Sequence, residues 1–597
     1  MLRFCLQWSK NGPLEKDGPG LPGSFRHAIG ERFSFSYDDS RSLKRVLTER
    51  EGGRVRIAVP KLFVDDPGAR AGLTAALSGG GDVFQRRSAY YLAVDIDEAG
   101  SCLTLINDPF GQLIVFEYED HHRIIFATDP EFILQQLGSV EFNDEGLLDF
   151  VNFGCTVGGK TLFKGIGQLA GASEIAIGPE GSRRSTYWTS RVRDETSADP
   201  VPEVAEGVEA IESAVLKSVT GVEKVGIALS AGLDSRLITA ALAGQTPGLR
   251  TFHADGYGER RETERIAKIA RVPYKPLDLS KQDWSKIVRR YSALTFGHLH
   301  WNQFWGMRLA DCISSEAQPP EALLNGYMLD GLFNCWHTPL SRDNRGVNEG
   351  EVLDIMRRFY PVPSDDLLLQ IYDREVVGRI KSSFEANILR YFEANSSLGI
   401  FELQENFYLQ NRGKNYTSAM FRYAENFVDE SVVPALEPEI YSIAMRLPLE
   451  QRWSGDFYRR VFIDAYQEYA RVRYPKLGGN LISDNSQGVR LKSRLVKTLR
   501  YHSRALSKGR LQIFTGKSIN YYRFMRDKKY RRLYLQLLED SQLQRRGYLA
   551  RSASANIVRL LDSGNKNMMW HLQTLLTVDM FLHNYFGATS PSDSPGP

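Results

Sequence analysis

The sequence predicts an α/β protein of two domains: a β-rich N-terminal domain, and a C-terminal domain built on a doubly wound parallel sheet with added helices. Three observations predict it. At 597 residues the chain is longer than one domain usually runs. The first third alternates short β-patterned runs with turn signals, whereas from Val225 onward apolar strand-like runs alternate with helical patterns. That alternation is the signature of a parallel sheet with its ligand at the carboxyl ends of the strands. A composition of 42% hydrophobic and 25% charged residues supplies enough apolar material for cores of that size.

Residues 1–190 form the first domain. Strands are expected at Arg32–Tyr37, Val55–Val59, Tyr90–Ile96, Leu103–Ile106, Leu113–Tyr118 and Ile124–Ala127, with turns at 79–81 (Gly-Gly-Gly) and 108–111 (Asp-Pro-Phe-Gly). The five cysteines, Cys5, Cys102, Cys155, Cys312 and Cys335, are scattered without a Cys-x-x-Cys pair, which argues against a disulfide framework or a zinc site and fits a reducing compartment. The N-terminus has no apolar stretch of signal-peptide length, and no run of 18 apolar residues occurs, so a cytoplasmic location and no membrane partner are expected. A net charge of +3 is too small to imply a nucleic-acid partner.

Residues 191–204 are polar and contain proline, which marks a linker. The second domain, 205–588, opens with a helical pattern and then the strand Val225–Leu229. That strand stops at Ser230-Ala231-Gly232-Leu233-Asp234-Ser235, and an apolar helical pattern follows at Leu237, Ile238, Ala241 and Leu242. Backbone N–H groups at such a helix start, with two hydroxyls and a glycine, can cradle a pyrophosphate. An acid beside phosphates makes sense when it holds Mg²⁺ between their oxygens, so Asp234 points to ATP with Mg²⁺. The loop lacks the Gly-Lys-Ser/Thr ending of a Walker loop. Further strands are expected at Leu249–Ala254 and after Val272, with a helix at Glu262–Arg271 between them. Another apolar run, Ala322–Leu324, ends in Asn325-Gly326-Tyr327-Met328-Leu329-Asp330-Gly331, and helical periodicity dominates from about 350.

The run Ser230–Ser235 resembles the pyrophosphate loop, Ser-Gly-Gly-x-Asp-Ser, of the asparagine synthetase superfamily of ATP-dependent amide-forming enzymes. Ala231 stands where the first glycine would be, which one methyl allows if φ stays negative. The resemblance implies that Leu229, Ser230, Ala231, Gly232, Leu233, Asp234 and Ser235 bind the nucleotide. It also implies that Phe252 and His253 lie where the second strand meets adenine, His253 as a wall residue. Gly326 to Asp330 resembles the second metal motif, Gly-x-x-x-Asp-Glu, so Gly326 joins the nucleotide site and Asp330 joins Asp234 at Mg²⁺, with Gly331 in place of the usual glutamate. β-Lactam synthetases, a branch of the superfamily, carry a catalytic tyrosine at the spacing of Tyr327 from Asp330.

Glu430-Ser-Val-Val-Pro-Ala-Leu-Glu437 resembles the motif Glu-x-Arg-x-Pro-Phe-Leu-Asp, and Leu447-Pro448 with Arg452 matches the Leu-Pro…Arg downstream of that motif. This implies that Glu430 partners Tyr327 in relaying a proton. Val432 replaces the motif's arginine, so substrate recognition should differ from that of aspartate-binding members. For the transition-state lysine of these enzymes Lys476 and Lys492 are candidates, and the loop 478–488 suits a lid.

Asn107–Gly111, Phe126–Asp129, Thr161–Ile166 and Tyr187-Trp188 recur in the order found in the superfamily's N-terminal glutaminase-like domain, of Ntn-type αββα fold. In active members a cysteine follows the initiator methionine and uses its own α-amine as base. Here Leu2 follows Met1, and Cys5 sits in a strand-like run as a small buried hydrophobe. The domain is therefore read as a degenerate amidotransferase-like scaffold.

Residues 490–532 carry many Lys and Arg and, of acids, only Asp527. Their stems can cover apolar surface, or the heads can dock an acidic peptide; no stacking motif points to RNA. The tail 589–597 is disordered by composition. Together the resemblances imply an AMP-forming carbon–nitrogen ligase in which a carboxylate attacks the α-phosphorus of ATP and an amine displaces AMP from the acyl-adenylate. The subgroup favoured is the lasso peptide cyclases, with a precursor peptide as substrate and a leader-binding protein and leader protease as partners. An asparagine synthetase-like ligase using ammonia, a β-lactam synthetase, an ATP-binding pseudoenzyme and an RNA-binding protein are the alternatives.

Overall fold

The computed structural model describes residues 2–10, 14, 25–38, 46–60, 91–193, 199–255, 259–279, 284–335, 344–360, 364–475, 479–482, 528–562 and 566–587. The expected turn at 79–81, part of the linker, Lys476, Lys492, most of the 478–488 loop, most of the basic stretch and the tail lie outside the described residues.

Among the described residues the N-terminal part has twelve strands: β1 (Arg3–Ser9), β2 (Arg26–Ile29), β3 (Phe33–Asp38), β4 (Leu47–Glu51), β5 (Arg54–Pro60), β6 (Tyr91–Asp97), β7 (Cys102–Asn107), β8 (Phe116–Glu119), β9 (Arg123–Ala127), β10 (Ile166–Gln168), β11 (Ser173–Gly178) and β12 (Gly181–Thr186). They form two antiparallel six-stranded sheets, ordered β10-β8-β9-β1-β3-β2 and β12-β11-β7-β6-β5-β4. Strand alternation sends Phe4, Leu6, Trp8, Phe33, Phe35 and Phe126 of the first sheet against Ile57, Val94, Leu105 and Ile175 of the second, closing one core. The alternate residues Cys5, Phe116, Ile125 and Ala127 face outward, where α1 (Glu131–Leu137), α2 (Asp144–Phe153) and the helix Lys566–Phe586 cover them. The expected strand at 113–118 begins only at Phe116, because the N–H groups of Gln112 and Leu113 are taken by the Asp108 carboxylate, at 3.0 and 3.4 Å.

The C-terminal part is mixed α/β around a parallel sheet of β13 (Val225–Ala228), β14 (Leu249–Asp255), β15 (Tyr274–Asp278), β16 (Ala322–Leu324) and β17 (Glu430–Val432), in the order β15-β14-β13-β16-β17. Helices α3 (Val204–Lys217), α4 (Leu233–Leu242) and α5 (Arg260–Ala270) pack on one face through Ile211, Leu237, Ile238, Ala241 and Ile266. On the other face the helix Phe304–Ser314 lays Leu309, Ala310 and Ile313 against Phe252 and Leu323. From β13 the chain runs outward through α4, β14, α5 and β15, then returns to β13's other edge as β16. This reversal leaves a crevice beyond the carboxyl ends of β13 and β16. Among the described residues no helix is long and apolar enough to cross a membrane.

Three histidines are buried where the helices meet the sandwich, His298, His300 and His571, and burial pushes their pKa values down to about 4, 3 and 4. Unfolded histidines take up protons below about 6.5, so over that interval the unfolded chain binds more protons and each group makes stability fall as pH falls. Asp108 and Asp149, raised by burial to about 6, work in the opposite sense between their ordinary pKa and 6. The test is therefore a difference: from pH 6.5 to 5, wild type should lose up to about 1.4 kcal/mol per pH unit more than His571→Gln, read from denaturant midpoints. Equal slopes would remove His571 from the account.

Candidate active site

The loop after β13 is tied to its neighbours before any ligand is considered. Leu229 extends the ladder, its N–H donating to the Phe252 carbonyl at 2.8 Å, and its own carbonyl lies 3.1 Å from His253 Nδ1. Phe252 and His253 are both buried, so they form the wall behind the loop. Ser235 folds its hydroxyl under the turn, accepting from Ser230 N–H at 2.9 Å and lying 3.1 Å from Ser230 Oγ. Gly232 N–H donates to Ser230 Oγ at 3.1 Å, and Ala231 N–H donates to Glu259 Oε2 at 3.0 Å. A carboxylate oxygen thus rests on the loop amide in the way a phosphate oxygen does at a helix N-terminus. Ala231 is not among the residues at positive φ, which is why its extra methyl fits the turn. Leu233 begins α4 half-buried.

Arg236, the residue after the motif, went unnoticed in the sequence. Its side chain is fully buried and donates to four carbonyls: Ala231 at 2.8 Å, Tyr469 at 3.0 Å, Val472 at 3.1 Å and Arg473 at 3.2 Å. Burial lowers its pKa to about 10, so it stays cationic at neutral pH and fixes the loop to the 469–473 segment. The one available signal was an arginine on an otherwise apolar helix face.

The loop after β16 meets the first one directly. A Cβ on Gly326 would stand 2.4 Å from Ser235 N and 2.5 Å from Asp234 Cβ, so only glycine lets the two loops close. Met328 then adopts φ 73°, a left-handed conformation that costs a non-glycine residue about 1–3 kcal/mol and clusters at functional sites. It delivers Asp330 into the first turn of the short helix Leu329–Asn334, across the crevice from α4. Tyr458, of the helix Asp456–Ala465, donates its hydroxyl to Asp234 Oδ1 at 2.8 Å. Burial first, then Asp234 and Asp330, raise the Tyr458 pKa well above its ordinary value, so both acids act on one phenol. Among the described residues no group of three or more His, Cys, Asp or Glu side chains converges. Two carboxylates from facing loops suit an Mg²⁺ ion whose remaining ligands are phosphate oxygens and water.

Tyr327, within the second loop, packs against a π-helix, Tyr408–Ser418. Its hydroxyl donates to the Gly413 carbonyl at 3.1 Å and lies 3.2 Å from the Tyr408 hydroxyl. Burial and Tyr408 raise its pKa well above the ordinary value, so the phenol keeps its proton at neutral pH. These hydroxyl contacts are with Tyr408 and Gly413 rather than with Glu430, the partner expected from the sequence. Glu430 begins β17 and is in register with Ala322 at the amino end of β16, whereas Tyr327 follows the carboxyl end. About 10 Å of strand separates the level of Glu430 from that of Asn325, whose N–H and side-chain amide reach the Val432 carbonyl at 3.0 and 2.9 Å. Lys476 and Lys492 lie outside the described residues and are not brought to the site.

The π-helix also wedges against the N-terminal part. Gln410 donates to the Pro109 carbonyl at 3.1 Å and accepts from Gly171 N–H at 2.9 Å, Asn411 accepts from Gly158 N–H at 2.9 Å, and Asn415 donates to the Thr156 carbonyl at 3.1 Å. Lys414 donates to the Leu169 carbonyl, and burial lowers its pKa to about 8 against the pull of Asp108 and Glu117. Gly111, at φ 59°, sits where a Cβ would come within 2.9 Å of Lys414 Cε. Widened helical turns frequently mark functional positions. In the same N-terminal part Cys5 is 2% exposed in mid-strand, and burial pushes its thiol up to about 12, which removes the thiolate a nucleophile needs.

Comparison with known proteins bears on this geometry. Residues 207–300, which contain β13, its loop, α4, β14, α5 and β15, match the family described as asparagine synthase; Tyr327, Asp330 and Glu430 lie beyond the match. Similar solved structures include the allosteric regulatory enzyme of purine biosynthesis, at 8% identity and a TM-score of 0.20 over 46% of this chain and 74% of that one. Another is the glutamine phosphoribosylpyrophosphate amidotransferase of B. subtilis complexed with ADP and GMP, at 9% identity and a TM-score of 0.17 over 41% of this chain and 51% of that one. No curated protein matches the chain. The family match over the loop, its flanking strands and the intervening helix supports the asparagine synthetase superfamily and, with it, an ATP-dependent amide-forming ligase.

Proposed function

We propose that the chain adenylates a carboxylate of a peptide and closes it onto an amine of the same peptide, as a lasso peptide cyclase forming a macrolactam. The observation that carries the ligase reading is the meeting of the Ser230–Ser235 loop with the Gly326–Asp330 loop at the point where the sheet order reverses. In this reading Ser230, Gly232 and Ser235 hold the pyrophosphate, Leu229, Ala231 and Leu233 shape the turn around it, and the Phe252–His253 backbone faces adenine. Asp234 and Asp330 hold Mg²⁺, which neutralises phosphate charge when bound. The chain's own contribution is alignment of the two reacting groups and exclusion of water from the adenylate.

The peptide reading rests on the amine. A buried Cys5 thiol gives no route to ammonia from glutamine, so the nucleophile should come with the substrate. The N-terminal part is then a scaffold that braces the π-helix behind Tyr327. With its proton retained, Tyr327 serves as a hydrogen-bond donor to the reacting amide, with Tyr408 as the next link in a proton path. A precursor peptide, a leader-binding protein and a leader protease are the partners this activity requires, and a cytoplasmic setting suits its use of ATP.

The test is pyrophosphate release from Mg-ATP by the full chain, comparing aspartate plus ammonia with core peptides that have a free N-terminus and an Asp or Glu at ring distance. Release with peptide alone, and a product lighter by one water, is the expected result. Release with aspartate and ammonia would replace the cyclase by an asparagine synthetase-like ligase. ATP binding without turnover on any of these substrates would favour a pseudoenzyme.

A further inference from the structure

We infer that Tyr458 is a positioning residue that sets the spacing and orientation of the two acids, Asp234 and Asp330, for their metal; the inference rests on the ligase reading above. The two acids belong to separate loops that touch at Gly326, and their side chains need a further link to hold one relative orientation. Tyr458 touches both units. Its hydroxyl donates to Asp234 Oδ1 at 2.8 Å, and its ring stacks on Phe333, at 5.6 Å between centroids and 16° between planes, in the six-residue helix that carries Asp330. The neighbouring Phe457 stacks on the same Phe333 ring at 5.8 Å.

The backbone strengthens this link. Gly455, at φ 69°, starts the helix of Tyr458, and a Cβ there would stand 2.7 Å from Asn334 Oδ1, at the end of the Asp330 helix. The two helices therefore approach closely at a glycine and at an aromatic stack. Tyr458 is only 2% exposed, so it has little room to change rotamer. A hydrogen bond to one carboxylate oxygen limits rotation of the Asp234 side chain, and it offsets part of the repulsion between two acids that face one site. Partners of this kind, held just behind metal ligands, typically change metal affinity or activity by about 10–100-fold when removed.

Tyr458→Phe keeps the ring and its stack and removes only the donor. Calorimetric titration of ATP into the full chain at a series of Mg²⁺ concentrations should show the Mg²⁺ midpoint raised about 10–100-fold, while ATP binding in EDTA stays at the wild-type level. Pyrophosphate release should recover at high Mg²⁺, a pattern that a general loss of fold does not give. Phe333→Leu, which keeps the hydroxyl but loosens the stack, should shift the midpoint in the same direction by less. An unmoved midpoint in Tyr458→Phe, with wild type binding Mg-ATP normally, overturns the role of Tyr458 and leaves the ligase reading standing. Wild-type protein whose ATP binding ignores Mg²⁺ overturns both.

Discussion

Asp234→Asn should reduce pyrophosphate release from ATP by about 10²–10³-fold, the loss usually seen when one preorganised electrostatic group is removed from a transition state. The substitution is nearly isosteric. Its side-chain oxygen can still accept from the Tyr458 hydroxyl, which the aspartate does at 2.8 Å, so the packing around Phe333 and Tyr458 should survive. What is lost is a negative charge in the first turn of α4. A carboxylate there helps the bare helix by about 0.3–1 kcal/mol, which bounds the stability change. Against bare phosphate the same charge would repel; with Mg²⁺ between them it attracts. Catalysis and stability should therefore separate: a large fall in turnover, a shift in denaturant midpoint within about 1 kcal/mol. Turnover within a few-fold of wild type would take Asp234 out of the metal site. A fall matched by a collapse of stability would make it structural.

The parts of this site that the sequence displayed are those whose signal is local. The loop, Gly326 and Asp330 follow from short runs in which an apolar strand breaks into glycine, hydroxyl and acid, and the structure brings these runs together at one crevice. The parallel sheet was readable for the same reason, since each βα unit carries its own change of period. What could not be read depends on contacts between distant residues. Arg236 bonds to carbonyls more than 230 residues away, at Tyr469, Val472 and Arg473, and Tyr458 reaches Asp234 across 224 positions. Glu430 is the converse case. Matching a motif gives the order of residues but not strand register, and register sets Glu430 level with Ala322, at the other end of β16 from Tyr327. The sequence pattern shows only a helix here, because the polar run Gln410 to Asn415, in which Asn411, Lys414 and Asn415 are buried, resembles a solvated face until its partners in the N-terminal part are known.

Arg452→Met should cost about 3–5 kcal/mol of stability, because it removes one partner of a buried ion pair and leaves the other charged in the interior. Arg452 is 1% exposed, and Glu405, to which its guanidinium donates, is fully buried. The second carboxylate oxygen of Glu405 accepts from Ser190 Oγ at 2.5 Å, and Arg452 Nε donates to the Leu332 carbonyl at 3.1 Å while the guanidinium lies 5.3 Å from the Phe401 ring centre. One cluster thus joins the end of the N-terminal part, the helix Ile400–Phe407, the helix Leu449–Ser454 and the helix that carries Asp330. Burial works to lower the Arg452 pKa, and Glu405 more than reverses it, so the charge pair holds in the folded state. Methionine fills much of the volume, so the loss should come from the abandoned carboxylate rather than from a cavity. Adding Glu405→Gln to Arg452→Met should then recover part of the loss, and a double-mutant cycle on denaturant midpoints measures how much. Because Leu332 lies two residues from Asp330, ATP turnover should stay depressed in the double variant even where stability returns. Additive losses, or a cost below about 1 kcal/mol for Arg452→Met, would mean that packing on Phe401 rather than charge holds this junction together.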